Sequence, residues 1–132
     1  LRMSTLLLNT LTGKTSAGSI NVTGEGGSTP TNLQQGLVKV WAHVDGTTTD
    51  ASIVDSFNVG SITDSDVGRY LLNFTNSFSG TNNYATAVQS IDANGYEWAV
   101  RQSASQVRFA NYEGGTGYVD VVMEGNICGD LA

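Results

Sequence analysis

Apolar and polar residues alternate with a period of two along much of this chain. Between Gly36 and Gly46, Val38, Val40, Ala42 and Val44 fall on one side of an extended backbone, and Leu37, Lys39, Trp41 and His43 on the other. That pattern predicts a strand of about eight residues, ended by the Asp45-Gly46 turn. Residues 56–75 predict a β-hairpin. Phe57, Val59 and, after a shift at Gly60 and Ser61, Ile62 are the apolar positions of its first arm. Tyr70, Leu72 and Phe74 alternate with Leu71 and Asn73 along the second. Between the arms, Asp64-Ser65-Asp66-Val67-Gly68 carries turn chemistry, because Asp and Ser bond their own backbone and glycine accepts positive φ. Residues 51–54, 84–91, 96–102, Val107 with Phe109, and residues 118–124 supply further strands. Trp98, alternating with Val100, is read as a core residue. Asn94-Gly95 marks a later turn, and Gly125-Asn126 follows the last strand.

The N-terminal part is different. Leu6, Leu7 and Leu8 are consecutive, so strict two-sided alternation is absent. Such a segment favours burial on both faces, against a neighbouring chain. Residues 24–31 are a linker by composition, with three glycines and the only proline. Residues 31–35 have room for one helical turn capped by Thr31. The expected organisation is an extended N-terminal segment over residues 1–31 and a β-sandwich domain over residues 32–132. Turn signals recur every ~8–12 residues, without a helical period or a long repeat, which predicts an all-β antiparallel sandwich of jelly-roll or immunoglobulin-like type.

Composition agrees with short strands and polar turns. Gly, Ser, Thr and Asn make up about two-fifths of the 132 residues, while charged residues are only 14%. The net charge is −6 and the six basic residues are scattered singly. Without a basic stripe, a nucleic-acid partner is not expected. No apolar run approaches the ~20 residues of a membrane helix, so no membrane insertion is expected.

Catalytic chemistry finds little to stand on. His43 lies mid-strand between Trp41 and Lys39, and Cys128 lies far away in sequence, so a nucleophile–base pair is not signalled. One cysteine and one histidine do not make a structural zinc site. Asp64 and Asp66 read as turn-capping residues, lacking the further oxygen ligands of a calcium loop. The expectation is therefore no enzyme, no metal and no cofactor. Tyr96, Trp98, Tyr112 and Tyr118 concentrate aromatic rings in the C-terminal third, where exposed rings would stack on sugars. Tyr112, followed by Glu113 and two glycines, is the better placed for exposure.

Three stretches together resemble tail-fibre and related appendage proteins of tailed bacteriophages. They are Met3-Ser4-Thr5-Leu6 leading to Asn9-Thr10-Leu11, the strand GLVKVWAHVDG over residues 36–46, and the hairpin SFNVGSITDSDVGRYLLNFT over residues 56–75, extended by Asn83-Tyr84. The likeness covers the first two-thirds of the chain and fades after Tyr84. Ala42-His43 after Trp41 and the longer GTTTD loop over residues 46–50 depart from the pattern, which leaves the partner and the exact appendage open.

The resemblance implies a virion structural protein on the surface of the particle, a tail-fibre, spike or tail-tip subunit that attaches to the host by non-catalytic binding. It implies a homotrimer in contact with other virion proteins, with residues 1–31 as the docking and trimerisation segment. Leu6, Leu7, Leu8, Leu37 and Trp41 would meet their copies around the threefold axis, covering edges that otherwise invite aggregation. The loops over residues 76–83, 92–96 and 112–117 would face a surface glycan, with Asn82, Asn94, Tyr96 and Tyr112 as ligand-binding candidates. The alternatives are a capsid decoration or head-fibre protein and a carbohydrate-binding module of a secreted protein.

Overall fold

The computed structural model describes residues 6–14, 20–23, 27, 30–91 and 95–132. Along the chain these form β1 (Asn21–Val22), β2 (Thr31–Asn32), the one-turn helix α1 (Leu33–Gly36), β3 (Val38–Asp45), β4 (Ser52–Phe57), β5 (Val59–Asp66), β6 (Arg69–Phe74), β7 (Tyr84–Ser90), β8 (Tyr96–Ser103), β9 (Gln106–Glu113), β10 (Gly117–Tyr118) and β11 (Val122–Gly129). The fold is all-β and antiparallel. β1 and β2 make a small separate ladder. One main sheet runs β4-β3-β11-β7. The other runs β5-β6-β9-β8, with β10 extending the β6 side of β9.

The two main sheets face each other across one hydrophobic cluster, the arrangement of a β-sandwich. Val40, Ala42, Val44, Met123 and Ile127 come from the first sheet, and Tyr70, Leu72, Phe74, Val107 and Phe109 from the second. Both sets follow from period-two alternation, which sends every second side chain inward. Phe78 and Tyr84 join this core, their rings stacked at 4.6 Å, with Phe74 meeting both edge-on.

The β5–β6 hairpin has the predicted turn. Gly68 takes φ 63°, and a Cβ there would meet the Val119 backbone at 2.7 Å. Asp66 accepts from the Val67 N–H and pairs with Arg69 at 3.0 Å. The register shift between Val59 and Ser61 leaves Gly60 as the extra residue. The first arm begins later than predicted, however. Residues 52–57 belong to β4 in the opposite sheet, and the chain changes sheet at Asn58, whose φ is 60°. Phe57 therefore sits outside the hairpin and is exposed.

Three further departures have physical causes. A bulge between Ile127 and Cys128 lets Val40 and Val38, but not Lys39, face β11. Val38 is consequently exposed, while Lys39 is buried. Trp98 pairs with Ala110 on the outward side of β8 and is not part of the core cluster. The last strand does not stop at Gly125-Asn126. Instead β11 runs on to Gly129, held by its ladders with β3 and β7, and Gly125 within it faces Phe109 so closely that only a residue without a Cβ fits there.

Candidate functional site

The inner face of β3 is core, so its alternate residues face solvent. Strand pairing then fixes their neighbours. Phe57, Trp41, Asn126 and Ala87 form one cross-strand row over β4, β3, β11 and β7. Asp55, His43, Glu124 and Gln89 form the next row. Together they outline a groove of about 460 Å³ in which Trp41, His43, Asp55, Gln89, Glu124 and Asn126 are lining residues. Ala87, opposite Asn126, leaves its floor open, and the Gly125 backbone lies beside them.

Within the groove, His43 Nδ1 lies 3.5 Å from Glu124 Oε1. One Asp55 oxygen accepts from the Ser56 N–H, at the edge strand. The lining thus joins an indole, 38% exposed at the residue level, to a row of carboxylates, an imidazole and an amide. Stacking and hydrogen bonding are available side by side. At the end of β3, the Thr47 hydroxyl and backbone N–H hold the Asp45 carboxyl below its usual range. Among the described residues, no three His, Cys, Asp or Glu side chains come close enough to hold a metal ion.

The opposite sheet carries an aromatic cluster. Tyr96 and Tyr112 are cross-strand partners on β8 and β9, and Tyr118 on β10 pairs with Tyr112 from the other side. The rings of Tyr112 and Tyr118 meet edge-on at 5.4 Å, Trp98 lies 5.9 Å from Tyr118, and the Arg69 guanidinium sits 3.7 Å above the Tyr118 ring. This cluster is largely occupied with itself. Tyr96, at 71% exposure, is its open edge.

Two of the four predicted ligand residues, Tyr96 and Tyr112, therefore come together. Asn82 does not join them; it lines an open depression beside Arg101, Cys128 and Asp130. Asn94 lies outside the described residues. Leu6, Leu7, Leu8 and Leu37, expected at a threefold contact, are all exposed. Trp41, expected with them, lines the groove. The sequence reading missed Asp55, Gln89, Glu124 and Asn126, whose only local signal is an outward parity on their strands.

The fold and the two surfaces define an all-β domain with a grooved outer sheet. Searches against protein-family models, curated proteins and solved structures each return no match.

Proposed function

We propose that this chain is a structural subunit of a tailed-bacteriophage particle, a tail-fibre, spike or tail-tip component that binds the host surface without turnover. It assembles as a homotrimer through its N-terminal segment and contacts other virion proteins there. The observation that carries this reading is the run of bare leucines. Leu6 and Leu7 are 77% and 88% exposed, and Leu8, Leu11 and Leu37 are exposed as well. Clustered apolar side chains of this kind favour association, since covering them removes apolar area from water. Three arms wound together would cover one another and leave the sandwiches facing outward.

A capsid decoration or head-fibre protein shares this fold and assembly, and antibody labelling of particles separates tail from capsid. A carbohydrate-binding module of a secreted protein is favoured by one specific observation, the groove beside Trp41. Light scattering on the purified chain tests the assembly. Three copies in solution, reduced to one by Leu7→Asp, support the reading. A stable monomer removes it and favours the free module.

A further inference from the structure

We propose that the groove on the outer face of the β4-β3-β11-β7 sheet binds a neutral saccharide. Trp41 is the stacking platform, and Asp55, His43 and Glu124 are the row that reads hydroxyl groups. This rests on the reading of the chain as a non-catalytic binding subunit and names the class of ligand it takes.

A pyranose ring has one face rich in C–H bonds and a rim of hydroxyls. The groove offers both complements in register. Trp41 presents an apolar ring to the C–H face. The adjoining row, Asp55–His43–Glu124–Gln89, stands two residues further along each strand pair. That is a displacement of about 6.6 Å along the strand, comparable to the breadth of a sugar ring. Ionised carboxylates accept hydroxyl protons as charge-assisted bonds, and the amides of Gln89 and Asn126 both donate and accept. A volume of about 460 Å³ leaves room for more than one ring.

Charge narrows the class. The groove lining holds Asp55 and Glu124 but neither Lys nor Arg, and the whole chain carries −6. A carboxylated or sulfated sugar would be repelled, whereas a neutral one would not. The same acidic row is a poor seat for a second copy of this face, which would set carboxylates against carboxylates.

The test is a fluorescence and calorimetric titration of the full chain with D-glucose, D-galactose, N-acetyl-D-glucosamine and, as the acidic control, N-acetylneuraminic acid. Saturable binding of at least one neutral sugar is expected. The affinity should fall at least tenfold in Trp41→Ala and several-fold in Glu124→Gln, and stay unchanged in Val67→Ala, an exposed residue at the turn of the β5–β6 hairpin. Silence from all three neutral sugars overturns the proposal, as does a preference for the acidic one. So does binding that survives Trp41→Ala but is lost in Tyr96→Ala. Light scattering on the same samples keeps the two readings apart. A trimer that ignores sugar leaves the assembly standing and removes the groove; a monomer that binds sugar does the reverse. A drop in mass on Trp41→Ala places a second copy in the groove and also overturns the proposal.

Discussion

The buried backbone N–H of Val121 donates to the phenolic oxygen of Tyr70 at 3.0 Å, tying the segment that enters β11 to the start of the β6 strand. The Tyr70 hydroxyl in turn donates to Asp120 at 3.2 Å, and the same carboxylate oxygen accepts from the Gly68 N–H at 2.6 Å. The tip of the hairpin and the entry to β11 are thereby held by one small network. Tyr70→Phe keeps the ring but leaves the Val121 N–H without its acceptor. We expect a loss of about 1–3 kcal/mol in denaturant unfolding, with an unchanged m-value.

The same phenol gives the protein an alkaline limit. Burial, the largest cause, pushes Tyr70 well above the ordinary tyrosine value of 10.0, opposed by the Val121 bond and reinforced by Asp120. Burial also raises Tyr84, against the lowering influence of Arg101. Below pH ~10 both phenols are neutral, folded or unfolded, and contribute no slope. Above it the unfolded chain releases protons that the folded chain retains, so stability falls as pH rises from the unfolded pKa toward the folded one. Urea midpoints measured from pH 9 to pH 11.5 should decline, and the decline should be shallower in Tyr70→Phe.

Asn58 is the corner where the chain passes from one sheet to the other. Its amide donates to the carbonyls of Lys39 and Asn76 at 3.2 and 3.1 Å, and its side-chain oxygen accepts from the Asn76 N–H at 2.7 Å. Its backbone carbonyl accepts from the Thr75 N–H. Asn58→Gly retains the left-handed conformation but loses the side-chain bonds; Asn58→Ala loses both. We expect a cost of about 1–2 kcal/mol for glycine and roughly 1 kcal/mol more for alanine, read from thermal or urea unfolding.

Gly125 couples the core to the groove. A Cβ at this position would lie 2.5 Å from the Phe109 ring and 3.0 Å from the Ala87 carbonyl. Gly125→Ala should destabilise by about 1–3 kcal/mol through overpacking. The companion change Phe109→Leu, made in the same chain, should recover part of that loss, and double-mutant unfolding measures how much.

Much of the sandwich was legible because parity is a local property. Val40, Ala42 and Val44, and Tyr70, Leu72 and Phe74, are read as inward from their own strands, and all are buried. Three things were not local. The bulge that leaves Lys39 buried and Val38 exposed depends on how β11 pairs with β3. Trp98 was read as core because its neighbours alternate, yet only the identity of the facing sheet decides which parity is inside. Gly125 was read as lying past the last strand, since a strand glycine marks a break as readily as a close approach, and only the position of Phe109 separates the two. The groove suffered most. Its residues lie on four strands spanning positions 41 to 126, and no spacing rule links Asp55 to Glu124 until both are paired with His43.

The division of β3 into an inward set and an outward set has a consequence for variation. Trp41 and His43 alternate with Val40, Ala42 and Val44, so what the strand presents in the groove and what keeps the chain folded are written in separate letters of one strand. The outward letters on neighbouring strands, Asp55, Gln89, Glu124 and Asn126, can be exchanged without emptying or overfilling the interior. On the proposed binding role, a lineage under pressure to change its ligand would rewrite these positions while the inward letters stay fixed. A library randomised at the same sites would inherit an unchanged scaffold.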